Sequence, residues 1–185
     1  MKTIYTIAAC LLLMNAGLAQ KVVRETQNLD AYVGVWEYAN ATDTFRIVLR
    51  KGVQEAMPNS TNECLIGGYR YVKQGVLVGD YTKGIIPSQF LDKDWSKEDE
   101  TITVKASNAR SNPEWIDPNL LDLYFKDRGF NKWGGHSQIQ LLSPTQIRWI
   151  LEESEGVYLT EEDVPPAGFS VPVDIVMTKI SDTVP

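Results

Sequence analysis

Short runs of alternating apolar and polar residues recur along the chain, and they constrain its fold more than any other feature. One run places Phe45, Ile47 and Leu49 on one side of the chain and Arg46 and Arg50 on the other. Successive side chains of a β-strand point to opposite faces, so a period of two predicts a strand with one buried face. Strands of this kind belong to antiparallel sheets that cover a core on one side.

The clearest pair of such runs predicts a β-hairpin. Ile139 and Leu141 alternate toward a turn at residues 143–145, and Ile147 and Trp149 return with the same alternation. Because register is set by the buried face and by the turn, the apolar residues of both strands are expected to lie on one face.

Other runs extend this pattern along the chain. A second hairpin is predicted to turn at Gln74 and Gly75, where glycine permits a positive φ. Further strand-like runs occupy residues 32–38, 101–104, 121–126 and 173–180. For residues 121–126 a helix is the alternative, since Asp117-Pro118 before the run has the pattern of a helix start. Polar stretches at residues 54–63 and 87–100 are predicted as longer connections. About nine strands with hardly any helical periodicity predict an all-β domain, either a single antiparallel β-barrel or a closely related sandwich.

The first 19 residues have the pattern of a signal peptide. Lys2 precedes an apolar stretch at residues 4–14, and Gly17 and Ala19 are small residues at the positions that cleavage requires. The apolar stretch is too short to cross a bilayer, which needs roughly 20 such residues, and no later segment is longer. We therefore expect cleavage after Ala19, export to the periplasm or the extracellular space, and no membrane span.

After the signal peptide, the sequence predicts a polar lead at residues 20–30 and one β-barrel-like domain at residues 31–185. The net charge of the chain is −6, and a negative surface repels phosphate backbones, so nucleic acid is not an expected partner. Cys10 lies in the predicted signal peptide, and Cys64 is the other cysteine. The domain is therefore expected to be held by its core rather than by an internal disulfide.

No pair of residues has the arrangement of a catalytic site. His136 is the single histidine of the sequence, which excludes metal sites built from several histidines. Ser137 follows it directly, and adjacent residues of a strand point to opposite faces, so the two side chains are not expected to form a Ser–His pair. We predict no catalytic residue, and the sequence favours a protein that is not an enzyme.

One acidic loop matches a calcium-binding loop only in part. Asp92, Asp94 and Ser96 occupy the first, third and fifth ligand positions. Lys97 stands where glycine is needed for the sharp turn, and Thr103 stands where a bidentate glutamate closes the site. Neither a metal site nor a cofactor is therefore predicted.

The five tryptophans divide into two groups. Trp36 and Trp149 lie in predicted strands and are expected in the core. The other three lie in or near loops, where a large apolar ring needs a packing partner. Together with His136 they either form a ligand-binding site at a barrel mouth or attach long loops to the barrel, and the second role is favoured. These loop residues are Trp95, Trp115 and Trp133.

Four segments resemble a known family. They are LIGGYRYVKQG at residues 65–75, WGG at residues 133–135, TQIRW at residues 145–149 and LTEEDVPP at residues 159–166. In this order they resemble a family of small secreted Bacteroidota proteins of unknown function, over about residues 32–180. The resemblance implies a secreted, β-rich protein, and it assigns no catalytic residue.

A weaker resemblance favours the barrel over the sandwich. Gly34-Val35-Trp36 is similar to the first strand of lipocalin-like (calycin-like) barrels. The resemblance implies that Trp36 closes one barrel end, packed against an arginine from a late strand. Arg148 is the residue expected in that position.

Three function classes remain open from the sequence. The leading hypothesis is an exported, non-enzymatic β-barrel that binds either a small apolar ligand or another protein. A lined cavity of a few hundred Å³ would favour the small ligand. The first alternative is a carboxylate-dependent hydrolase, which needs two converging acidic side chains, one with a raised pKa. The second alternative is an envelope structural protein without a ligand.

Overall fold

A computed structural model describes residues 22–24, 28–57, 60–83, 90–91, 102–107, 117, 119–135, 137–153 and 166–184. These residues form twelve strands and one short helix. The elements are β1 (Val22–Arg24), α1 (Leu29–Tyr32), β2 (Gly34–Ala39), β3 (Thr44–Met57), β4 (Ser60–Lys73), β5 (Val76–Asp80), β6 (Phe90–Leu91), β7 (Val104–Ser107), β8 (Leu120–Asp127), β9 (Lys132–Trp133), β10 (Ser137–Ser143), β11 (Gln146–Ile150) and β12 (Asp174–Ser181).

Eight of these strands close into an antiparallel barrel. Strands β2, β3, β4, β7, β8, β10, β11 and β12 follow one another around it in chain order, and β12 pairs back with β2. Strands β1 and β6 add parallel pairings to β4 and β3, while β5 and β9 pair with β4 and β8. The predicted all-β antiparallel barrel is confirmed, and the sheet closes on itself rather than splitting into a sandwich.

The predicted hairpins are confirmed in their register. Ile139 lies opposite Trp149 and Leu141 opposite Ile147 in the β10–β11 pair. The β4–β5 hairpin turns at Gln74 and Gly75, whose φ values are 51° and 76°. Two successive positive φ values match the right-handed twist of the flanking strands, which explains the glycine.

The connection predicted at residues 54–63 is wrong over most of its length. Strand β3 continues to Met57, and β4 begins at Ser60, so the two strands, each 14 residues long, pair along nearly their whole length. The side chains of Val53, Gln54 and Glu55 are half-buried rather than buried. Strand pairing therefore continues where the apolar alternation has already ended.

Side chains fill the interior of the barrel. An eight-stranded barrel encloses a space just wide enough for its own side chains. The inward residues Ile47, Leu123, Ile139 and Trp149 are each at most 2% exposed, as the sequence predicts. Aromatic rings pack in this interior, and the centroid of Phe125 lies 5.3 Å from that of Trp149.

One end of the barrel, where β2 begins, is closed by α1, and we call it the plugged end. Leu29 and Tyr32 of this helix are buried, and the indole N–H of Trp36 donates to the carbonyl of Tyr32 at 2.8 Å. Gly34 has a φ of 137°, and a Cβ there would lie 2.5 Å from the carbonyl oxygen of Ser181. Glycine at this position thus lets β2 and the end of β12 approach closely.

The cation over Trp36 comes from the last strand. Lys179 Nζ lies 5.1 Å from the Trp36 ring centroid. Arg148, which was expected there, has an exposed side chain that donates to Asp174 at 2.7 and 2.8 Å. Arg148 pairs with Gln140 in the β10–β11 ladder and alternates with the inward Trp149, so its side chain points outward.

The opposite end is closed by hydrogen bonds to residues 166–173, and we call it the tethered end. Asp127 continues the inward parity of β8 and is fully buried. Its carboxylate accepts from the N–H and the hydroxyl of Ser170, both at 2.5 Å, and from the N–H groups of Gly129 and Phe130.

A second tie at this end uses Lys132. Its ammonium donates to Glu153 at 2.8 Å and to the carbonyl of Pro166 at 3.0 Å, and it lies over the ring of Phe169. Glu153 also accepts from the N–H of Gly168. None of the described helices is long and apolar enough to cross a membrane.

Candidate functional site

Because side chains fill the interior, space for a ligand or a partner lies on the outside of the barrel. Two concavities lined by described residues lie there. The larger, of about 770 Å³, is at the plugged end, and we call it the end groove. The smaller, of about 420 Å³, lies on the outer wall, and we call it the wall pocket.

Four parts of the chain build the end groove: α1 with the residue before it, Asn119 before β8, the β10–β11 turn with the end of β10, and the end of β12. Leu142 and Ile180 line it with side chains that are 46% and 47% exposed. Both residues stand where a ladder is irregular, because register shifts occur between Leu141 and Ser143 and between Lys179 and Ser181. A β-bulge re-aims the side chains beside it, and here it leaves two large apolar groups in solvent.

The polar lining of the end groove is close to neutral. Side-chain amides and hydroxyls come from Asn28, Asn119 and Thr145. The charges in the groove compensate each other, since Lys179 Nζ lies 2.9 Å from an Asp182 carboxylate oxygen. The groove therefore offers an apolar centre with hydrogen-bonding groups around it.

The wall pocket combines apolar and cationic side chains. Val35 and Val48 face each other across β2 and β3, on the outer side of the sheet, and are 6% and 3% exposed. Arg46 and Arg70 line the same pocket from β3 and β4. Because a guanidinium group and an apolar wall lie side by side, this pocket has the chemistry to hold an amphipathic anion.

Comparison with known proteins identifies one relationship. The sequence model of DUF6705, a family of unknown function, matches residues 1–180. The chain belongs to this family. The DUF6705 match confirms the resemblance to a family without an assigned function. No curated protein and no solved structure matches the chain.

In this DUF6705 chain, those predicted site residues that the structure describes lie apart. Trp133 is half-buried and packs on the outside of the barrel against Cys64, Ile66 and Ile102. Lys126 Nζ lies 5.3 Å from its ring centroid. This position attaches β9 to the outer wall rather than lining the interior. Trp36 lies in the core, Arg148 lies on the outer wall, and the residues Trp95, Trp115 and His136 lie outside the described part of the chain.

Several carboxylates described in this DUF6705 chain have lowered pKa values because they accept hydrogen bonds. The pKa of Asp43 is lowered, chiefly by the N–H of Gln74, and Lys132 lowers that of Glu153. The pKa of Asp174 is lowered by its hydrogen bonds with Arg148. A general acid needs a raised pKa at neutral pH, and the buried carboxylate of Asp127 uses both oxygens to hold the chain. Among the described residues, no group of His, Cys, Asp and Glu is placed to hold a metal ion.

The described cysteine has a different environment from a reactive one. Cys64 is fully buried on the outer wall, and burial raises the pKa of its thiol to about 11. Lys105 on the neighbouring strand is also buried, and burial lowers the pKa of its ammonium. Only a minor fraction of the thiol is ionised at neutral pH, so it lacks the thiolate that nucleophilic chemistry requires.

The two large exposed apolar residues of the end groove, Leu142 and Ile180, were not predicted from the sequence. The available signal was a break in the alternation. Leu142 directly follows Leu141, and Ile180 stands between polar neighbours at the end of the last strand. Both breaks stand near the C-terminal ends of their strands, β10 and β12, which are separated by β11 in the sheet. Such breaks mark bulges, but their meeting in one groove depends on how the strands pair.

Proposed function

We propose that this protein is an exported, non-catalytic β-barrel that binds a segment of another protein in the end groove. The observation that carries the proposal is the exposure of Leu142 and Ile180 beside a concave surface on a barrel whose interior is filled. Apolar side chains surrounded by hydrogen-bonding groups are the usual composition of the centre and rim of a protein interface.

A protein segment fits this groove better than a small apolar ligand. An apolar ligand is held by a cavity that buries most of its surface, and the described interior positions are occupied by packed side chains. The end groove is open, and its rim carries the amides of Asn28 and Asn119, which pair well with a peptide backbone.

Export is the second part of the proposal, and the charged, apolar and small-residue pattern of residues 1–19 supports it. The exported form is expected to begin at Gln20. The mass of the protein recovered from outside the cytoplasm of the producing cells measures this start, and an intact Met1 in that fraction would contradict it.

Photo-crosslinking in the producing cells tests the groove. A benzophenone amino acid placed at Leu142 is expected to give a discrete covalent adduct with one partner. The same group at Tyr124 is the matched control, because Tyr124 is 49% exposed on the outer wall and lies outside the groove. The adduct at position 142 should weaken at least tenfold when Ile180→Asp places a charge in the apolar centre.

Two results would overturn this proposal. One is an identical set of adducts from positions 142 and 124, which would mean that contacts are random. The other is an adduct at position 142 that Ile180→Asp leaves unchanged while the barrel remains folded.

A further inference from the structure

Four charged side chains form a row across the outer wall beside the wall pocket. In the strand ladders, Glu37 lies opposite Arg46, Arg46 opposite Arg70, and Arg70 opposite Asp80. The two acids therefore stand at the ends of the row, and the two arginines are neighbours at its centre. Because the two arginines are neighbours, positive charge is concentrated at the centre of the row. Like charges directly opposite each other destabilise a sheet, so a bound anion at this place would relieve the repulsion.

Among the described residues, these two acids use only part of the hydrogen-bonding capacity of the two arginines. One oxygen of Glu37 accepts from Arg46 Nε at 3.0 Å and from Arg46 Nη2 at 2.5 Å. Asp80 Oδ2 lies 3.6 Å from Arg70 Nε, which is beyond hydrogen-bond distance, while Asp80 Oδ1 accepts from the hydroxyl of Thr82 at 2.7 Å. Since a guanidinium carries five N–H donors, both arginines have donors for a further acceptor.

An apolar surface continues from the arginines. Val35 and Val48 lie two residues along from Glu37 and Arg46 in the register, on the same outer side of the sheet. They are nearly buried, and Ile180 and Val184 line the pocket next to them. The volume of about 420 Å³ lies in the range of sites for small ligands.

We propose that the wall pocket binds a small amphipathic monocarboxylate. The carboxylate lies between Arg46 and Arg70 and accepts from both, and the hydrocarbon tail lies over Val35 and Val48. This inference goes beyond the proposed interaction in the end groove and does not depend on it.

A carboxylate matches this row better than a phosphate. The planar guanidinium fork pairs with a planar carboxylate through parallel hydrogen bonds. The row already contains two acids and two arginines, so a single negative charge at its centre meets less repulsion from Glu37 and Asp80 than a double charge does.

The test is a titration of the purified protein with octanoate, followed by the NMR signals of the valine methyl groups. Saturable shifts are expected at Val35 and Val48. Acetate supplies only the head and octanol only the tail, so each is expected to bind at least tenfold more weakly. Octyl phosphate is the fourth probe, and binding tighter than that of octanoate would contradict the choice of a carboxylate.

Variants separate the pocket from the rest of the surface. Arg70→Gln removes one partner of the carboxylate and is expected to weaken octanoate binding about tenfold. Arg70→Lys keeps the positive charge but loses the planar guanidinium group. Its affinity for octanoate is expected to lie between those of the wild type and Arg70→Gln. Arg148→Gln is the matched control, since Arg148 is an exposed, ion-paired arginine outside the pocket, and it should leave the affinity unchanged.

A variant of the end groove distinguishes binding in the wall pocket from binding in the end groove. Leu142→Ser alters the end groove and should leave octanoate binding unchanged. Unsaturable shifts, shifts centred on the end groove, or equal binding by wild type and a folded Arg70→Gln protein would overturn the inference.

Discussion

The two ends of the barrel are closed by different kinds of interaction. At the plugged end, Leu29 and Tyr32 cover the core, and a single side-chain hydrogen bond joins Trp36 to the helix. At the tethered end, the carboxylates of Asp127 and Glu153 bind backbone N–H groups of residues 168–170. Burial of apolar surface is non-directional, whereas hydrogen bonds fix a segment in one position.

The two ends therefore differ in how much of their surface is available to a partner. The plug lies inside the plugged end and leaves the surrounding turn and strand ends free to form the end groove. At the tethered end, residues 166–173 are held across the rim by Asp127 and Lys132. A partner at the plugged end can therefore contact Leu142 and Ile180, whose side chains are exposed and are not part of the buried core.

The largest effect on stability is expected from a substitution at the plugged end. Trp36→Ala removes a fully buried ring and is expected to lower the free energy of unfolding by about 3–5 kcal/mol. Trp36→Phe keeps an apolar ring and loses the hydrogen bond to Tyr32, so a loss of about 1–2 kcal/mol is expected. Urea unfolding at constant pH measures both values. Val176→Ala is the control, because Val176 is exposed on the outer wall and its loss should stay within about 0.5 kcal/mol.

The second-largest effect on stability is expected from a substitution at the tethered end. Asp127→Ala leaves the N–H groups of Ser170 and Gly129 without the carboxylate that accepts their hydrogen bonds, and it is expected to cost about 2–4 kcal/mol in urea unfolding. Asp174→Ala is the matched control, since it removes an exposed carboxylate that pairs with Arg148, and surface pairs contribute little. Equal losses in the two variants would mean that Asp127 does not hold this end.

Much of the fold follows from alternation alone. The run Leu121, Leu123 and Phe125 predicts the buried face of β8, and the structure buries all three. Asp127 follows Phe125 by two residues and so lies on the same face of β8. From the sequence alone, however, a carboxylate at the end of an alternating run predicts a solvated strand end. Its burial depends on Ser170, which is 43 residues away, and no local pattern reports such a partner.

The helix and the site escaped prediction for related reasons. Four residues of α1 cover little more than one turn, which is too short for a helical period to show. The Gly-x-Trp pattern predicts that Trp36 closes the barrel, but the cation over the ring is Lys179 and not Arg148. Position 148 alternates with the inward Trp149, so its outward direction was present in the sequence. The end groove requires bulges and barrel closure, which alternation does not encode.

The smallest expected effect is a difference between the two ends in their response to acid. The pKa of Glu153 is lowered from its ordinary value of 4.5, first by the hydrogen bond from Lys132 and then by the N–H of Gly168. A lowered pKa means that the contribution of Glu153 is present above pH 4.5 and is lost as the pH falls through its value in the folded protein. Acidification should therefore loosen the residues around Gly168 before it affects the plugged end.

Hydrogen exchange reads this difference residue by residue. The protection factor of the Gly168 amide is expected to fall as the pH drops below 4.5, while that of the Trp36 indole, which donates to the carbonyl of Tyr32, stays constant over the same range. Glu153→Gln removes the titrating group, so the pH step at Gly168 should disappear in that variant. A step that persists in Glu153→Gln, or an equal step at Trp36, would show that acid acts on the whole barrel and that its two ends do not differ in this respect.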